Sequence, residues 1–348
     1  MEAEGSISSD DLIFIQAKED NMGQKCNMGK VAMVLLAMIL VLGLTTNGSA
    51  AAKRYLSLGT GNPSGTFYFI GAGFANLINK HVPEVRVIAE STAASEENFH
   101  LIIRKKMDLG LVSIHVIDPA LEKKMDISGV RLIALGHTSD RHWFVRKDSP
   151  IRTISDFKGR RVAVGPPGSG TLVSSKTELG TVGKLTFEDI KPAYLSFTES
   201  ITAIKDGTID VGVISAGYPV ASLLDLTRQV PIRLIPYSEE EMKTLIASYP
   251  YYVKVIIPAG TYTGVDTDTL TRGIVTALFC RKELSDDVAY KMMQALYDHQ
   301  KAKDAIHPQA KQWSLENMYR GAEYTTKYIP FHPGAIKYLK EKGAWKEK

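Results

Sequence analysis

The sequence predicts an α/β protein of two lobes, each a mostly parallel sheet flanked by helices, with the lobes joined by a hinge. Three observations carry this. Strand-like and helix-like segments alternate along most of the chain, the order that builds parallel sheets. A strand, a turn rich in glycine and hydroxyl residues, and a helix start follow one another twice, at about Tyr55 and at about Arg161. Once the first 52 of 348 residues are set aside, nearly 300 remain, enough for two hydrophobic cores.

Those first 52 residues read as an extension and a leader. Residues 31–44 (VAMVLLAMILVLGL) are an unbroken apolar run behind Lys25 and Lys30, and small residues close it at Ala50-Ala51-Ala52. A positive flank, a short apolar core and a small-residue end make a cleavable secretory signal. The run is shorter than the roughly 18–20 residues that span a bilayer. Cys26 precedes the run, so it is not placed as a lipid anchor, and Met22 or Met28 competes with Met1 as the start. Export to the periplasm is expected. Mass spectrometry of the exported protein should find its amino terminus close to Lys53; an intact chain in the membrane fraction would identify an uncleaved anchor instead.

In order, 55–58 is a strand and 67–81 a helix with apolar residues at Phe67, Ile70, Phe74, Leu77 and Ile78. A strand at 85–89, a helix at 95–105 capped by Ser95, and a strand at 109–112 follow. Residues 131–136 and 143–146 read as paired strands around a polar turn at 137–141. The grammar then restarts: strand 161–164, glycine turn, helix 172–179, a short strand near Tyr194, helix 196–205, strand 210–214, helix 220–227 and strand 232–235. Residues 252–257 look like a return path, 272–281 is strongly β-prone, and 285–301 and 312–319 are helical. The lobes are therefore expected at 53–146 plus 259–348 and at 147–258. The crossing segments are expected at 143–150 and 252–261.

Composition excludes several classes. The net charge of +4 is modest, and no basic stripe is interleaved with aromatic residues, so nucleic acid is not a partner. After leader removal one cysteine remains, Cys280 in an apolar run, which excludes a disulfide framework. A monomer is expected.

The two turns are Gly59-Thr60-Gly61-Asn62-Pro63-Ser64-Gly65-Thr66 and Gly165-Pro166-Pro167-Gly168-Ser169-Gly170-Thr171. A helix start leaves N–H groups unpaired and carries partial positive charge, which suits an anion. Ser64, Thr66, Ser169 and Thr171 can donate to a carboxylate, and Gly170 lets backbone approach. A single such turn is ordinary capping; two in equivalent places read as half-sites for one ligand. Ser95 and Asn98 lie at the rim where such sheets bind ligands. Tyr68 reads as a lid or core residue, Gly217-Tyr218 faces the cleft at a strand end, and His115 is a lone histidine without metal spacing.

Enzyme motifs fail. Thr171 stands where a P-loop needs lysine, and the nucleophile elbow lacks its outer glycines. Gly59 to Gly65, with Glu90 ending the next strand, imitates a dinucleotide site, but its last spacing is one residue too long. A nicotinamide-dependent oxidoreductase is one alternative, an exported sensory clamp another. The primary expectation is a non-enzyme without cofactor or metal that captures a small carboxylate-bearing solute.

The chain resembles the solute-receptor proteins of tripartite ATP-independent periplasmic (TRAP) transporters of the TAXI type. The matching stretches are GTGNPSGTFY at 59–68, STAASEENF at 91–99, KGRRVAVGPPGSGT at 158–171, AIKDGTIDV at 203–211, AGYP at 216–219 and IPAGTYT at 257–263. The resemblance implies a periplasmic-binding-protein type II fold. It implies delivery of glutamate, glutamine or 2-oxoglutarate to the large and small TRAP permease subunits, driven by an ion gradient. By position it implies a pocket of Ser64, Thr66, Tyr68, Ser95, Asn98, Ser169, Gly170, Thr171 and Tyr218. Two departures concern ligand choice. Ser113-Ile114-His115 stands where the family often has Gln, a small residue and Asp, and Phe67-Tyr68 where two tyrosines are common.

Overall fold

Leu56 and Leu58 enter the core from β1 (Arg54–Gly59), and Phe67, Ile70, Phe74, Leu77 and Ile78 from α1 (Thr66–His81). Period two in the strand and 3.6 in the helix place these apolar residues on one face of each element. The computed structural model describes residues 53–347; the leader read at 31–52 lies outside them.

β2 (Val85–Glu90) and, across α2 (Ser95–Ile103), β3 (Leu109–Ser113) both pair in parallel with β1. After α3 (Ile117–Glu122) comes the long strand β4 (Val130–Arg146). β5 (Arg161–Ala163), α4 (Gly170–Glu178) and β6 (Lys191–Ala193) form a parallel unit of their own. α5 (Phe197–Lys205), β7 (Gly212–Ser215), α6 (Ala221–Thr227), β8 (Ile232–Leu234), α7 (Glu239–Ser248) and β9 (Tyr252–Ile257) follow. The second long strand, β10 (Thr269–Arg281), leads to α8 (Asp286–Tyr297), the short α9 (Gln300–Asp304) and α10 (Ala322–Thr325), and α11 (Pro333–Glu341). The main sheet runs β2-β1-β3-β10-β4-β7, with β8 beside β4 and β9 beside β10.

Several expectations need correction. Residues 137–141 are not a turn: they continue β4, with Ser139 opposite Ile274 and Asp140 opposite Gly273 in β10. Their polarity imitates a loop, yet all five are buried, because a cavity and a buried ion cluster adjoin them. The helix read at 312–319 is two short 3-10 turns, Pro308–Gln312 and Glu316–Tyr319. α3, α7 and α11 escaped the sequence reading, although Ser238 and Glu241 form a capping box at the start of α7. Cys280 is fully buried, and burial pushes its thiol above the usual range, as a packing residue requires.

β4 and β10 change partners along their length. Val130 to Asp140 of β4 ladder with β10, whereas Arg141 to Arg146 ladder with β7 and β8. β10 pairs with β9 from Thr269 to Ile274 and with β3 from Thr276 to Cys280.

Candidate functional site

Four helix starts converge on one cavity of about 230 Å³: Gly65-Thr66 of α1, Ala94-Ser95 of α2, Ser169-Gly170-Thr171 of α4 and Ser196-Phe197 of α5. Both glycine turns of the sequence thus meet at a single place. Gly165 has φ +95, and a Cβ there would lie 2.8 Å from the Thr171 side chain, so this turn needs glycine to bring the α4 start inward. The halves also touch directly. Glu97 N–H donates to the Gly168 carbonyl at 2.9 Å, the Thr66 hydroxyl to the Gly217 carbonyl at 3.2 Å, and His115 Nε2 to the Gly170 carbonyl at 2.9 Å.

The predicted residues separate by what their polar atoms already do. Thr66, Ser95, Ser169, Gly170 and Thr171 line the cavity. Ser169 is a working N-cap: its hydroxyl donates to the Pro166 carbonyl at 2.7 Å and accepts from Leu172 N–H at 3.1 Å. Thr66 spends its hydrogen on Gly217. Ser95 is not the expected cap; Ala94 occupies that position with φ 81, and the Ser95 oxygen accepts from Ser113 N–H at 3.0 Å, leaving its hydrogen to donate. The Thr171 hydroxyl has no partner among the described residues.

The other predicted residues stay outside the cavity. Ser64 bonds Asn62 Oδ1 at 2.6 Å and borders a neighbouring hollow. Tyr68 is exposed, edge-on to Phe69. Asn98 is a buried strut, its amide donating to the Thr60 and Leu111 carbonyls, each at 2.8 Å. Gly217 contributes only its carbonyl to Thr66, and Tyr218 offers its carbonyl to Gln309. Glu90 binds Thr60 through its own carbonyl at 2.7 Å and does not reach the cavity.

The sequence reading missed Asn62, Ser113, Ser139, Ser215 and the apolar wall of Phe67, Phe197 and Ile274. Asn62 sat in plain view within the first turn: Ser64 holds its Oδ1, which leaves the amide hydrogens to donate. The serines gave no local signal, because strand pairing alone brings them together.

Apart from His115, no lining residue is acidic or basic among those described. Burial pushes His115 down to about 3, against a weaker pull upward from the Gly170 carbonyl, so the ring is neutral. Charge lies just beneath the wall. Glu178 of α4, fully buried, accepts from Arg141 Nε at 2.7 Å, Arg272 Nε at 2.6 Å, Tyr237 at 2.5 Å and Trp143 Nε1 at 3.0 Å. Burial alone would raise this carboxyl, but Arg141 and Arg272 outweigh it and hold it at about 2. Two guanidiniums on one carboxylate leave one positive charge in excess. Ser174, a lining residue, bridges the two: it accepts from Arg141 Nη2 at 2.6 Å and Arg272 Nη2 at 3.1 Å. The arrangement is a donor-rich, electropositive, uncharged-walled cavity suited to holding an anion.

Comparisons place the chain among known proteins. The model of the NMT1-like family matches residues 58–343. The "Putative aliphatic sulfonates-binding protein" of Escherichia coli (strain K12) is 26% identical over 251 residues, 69% of this chain and 75% of that protein. PhnD1 from Prochlorococcus marinus, solved with methylphosphonate, superposes with a TM-score of 0.51 at 12% identity, covering 79% of this chain and 97% of that one. SsuA from Xanthomonas axonopodis pv. citri, an alkanesulfonate-binding protein bound to MOPS, gives 0.48 at 17% identity over 84% and 92%. The resemblance to TRAP receptors of the TAXI type is corrected by these matches, which lead to another family of binding proteins. The chain belongs to the NMT1-like family, and it is a solute-binding protein with the α/β periplasmic-binding-protein fold.

Proposed function

We propose that the protein captures a small organic monoanion of sulfonate, phosphonate or carboxylate type, and delivers it in the periplasm to the permease of an ABC-type transporter. The observation that carries this is the cavity itself: spare N–H and O–H donors, an excess positive charge behind the wall and no charged lining residue. An amino acid fits poorly. Its ammonium would be buried with no carboxylate to pair, which costs several kcal/mol, roughly. Glutamate and glutamine are therefore not retained, and the sulfonates-binding relative supports the anionic class. In this reading the lobes part near 140 and 273, where β4 and β10 change partners, the first a little before the 147 and the second well after the 258 that the sequence grammar indicates.

Calorimetry against ethanesulfonate, methylphosphonate, acetate, glutamate and NAD tests the proposal. A monoanion should bind and raise the melting temperature, with glutamate weaker. Glutamate or NAD binding tightly while every monoanion fails would overturn it. Thr171→Val should lower monoanion affinity by about tenfold or more, the worth of one hydrogen bond to a charge. Ser169→Ala should instead cost about 1 kcal/mol of stability, as a lost cap does, with smaller change in affinity.

A further inference from the structure

We propose that Arg272 is the charge-selecting residue of the cavity and acts on the ligand through the Ser215 hydroxyl. The inference rests on the anion-binding reading above.

Arg272 projects from β10 and is fully buried. Its Nε donates to Glu178 at 2.6 Å, Nη1 to the Ser139 carbonyl at 2.9 Å, and Nη2 to Ser174 Oγ at 3.1 Å and Ser215 Oγ at 3.3 Å. Held on every side, the guanidinium cannot swing into the cavity to form an ion pair. Its charge reaches a ligand only through the groups it touches.

Two of those groups lead nowhere. The Ser139 carbonyl accepts from Arg272, and Ser174 gives its own hydrogen to the Gly170 carbonyl at 2.9 Å. Ser215 differs. Its oxygen accepts from Arg272, its hydrogen has no acceptor among the described residues, and it stands half-buried on the cavity wall. A hydroxyl whose oxygen is held by a cation is polarised into a stronger donor. The donor therefore points a relayed positive charge at the bound group, and low local dielectric preserves its reach. The consequence is selection by net charge: a monoanion is favoured over a neutral molecule of the same shape, and over a zwitterion whose ammonium is repelled.

The test uses the exported protein with three probes of similar size: ethanesulfonate, the neutral ethyl methyl sulfone, and taurine, which adds an ammonium. Wild-type protein should bind ethanesulfonate in clear preference to the other two. Ser215→Ala should lose about tenfold in ethanesulfonate affinity, the worth of a charge-assisted hydrogen bond, with sulfone binding little changed. Arg272→Lys should keep the preference for the anion, and Arg272→Gln should bring sulfonate and sulfone close to parity. Thermal melts establish folding, and if Arg272→Gln fails to fold, Ser215→Ala decides the matter. A Ser215→Ala variant with undiminished preference for ethanesulfonate overturns the relay alone. Wild-type protein that binds no monoanion overturns the relay together with the reading beneath it.

Discussion

Glu178→Gln should destabilise the protein by about 3–5 kcal/mol, the range for stripping one partner from a buried ion pair. The substitution keeps shape and volume but leaves the Arg141 and Arg272 guanidiniums facing each other, both fully buried, without a counter-charge. Urea unfolding should show a lower midpoint with unchanged slope. The wild-type pH profile should carry the same signature. The Glu178 carboxyl is held at about 2 in the fold against an ordinary value of 4.5, burial being overcome by the two arginines. Its contribution is therefore fully present above about 4.5 and is lost as pH falls from there towards 2. Glu178→Gln should flatten that acid limb. A loss below about 1 kcal/mol would mean that the cluster behaves as a solvated surface pair.

Asp140→Asn should stabilise the protein at pH 8 and remove a second pH dependence, opposite in sign. Burial pushes the Asp140 carboxyl up to about 7; Thr138, the Tyr218 backbone, Arg272 and Arg320 oppose the rise without cancelling it. Tyr218 and Tyr262 also feel this charge. Below 3.8 the group is protonated folded and unfolded alike. Between 3.8 and 7 the unfolded chain ionises first, so stability falls as pH rises, and above about 7 the loss is complete. The span corresponds to a contribution on the order of 4 kcal/mol. Ligand binding should follow. Ionised Asp140 cancels the excess positive charge near the wall, so monoanion affinity should weaken as pH climbs through 7 in wild-type protein and stay level in Asp140→Asn. Calorimetry at pH 6 and pH 8.5 reads this directly. Equal wild-type affinity at both would uncouple Asp140 from the cavity.

Much of the secondary structure was legible because it is written locally. β1, α1, β2, α2 and β3 fall within a residue or two of the segments that apolar spacing marks out. The site was legible only by half. Both glycine turns were found, and Thr66, Ser95, Ser169, Gly170 and Thr171 do line one cavity. Ser64, Tyr68, Asn98, Gly217 and Tyr218 lie in or beside the same motifs yet face elsewhere, because a motif places a backbone and does not say which way each side chain turns.

The sequence by itself determined the alternation of strands and helices and the two helix starts that invite an anion. Each follows from the chemistry of neighbours within a turn or two of chain. The tertiary structure decided what depends on residues far apart. A polar string at 137–141 becomes the middle of a buried strand only because β10, more than 130 residues on, ladders against it. Glu178, Arg141 and Arg272 come from three separate elements, and no spacing between them announces that they share one charge. Which hydroxyls remain free to hold a ligand was decided last of all. A serine is a donor only when the fold has given its hydrogen nothing else to do.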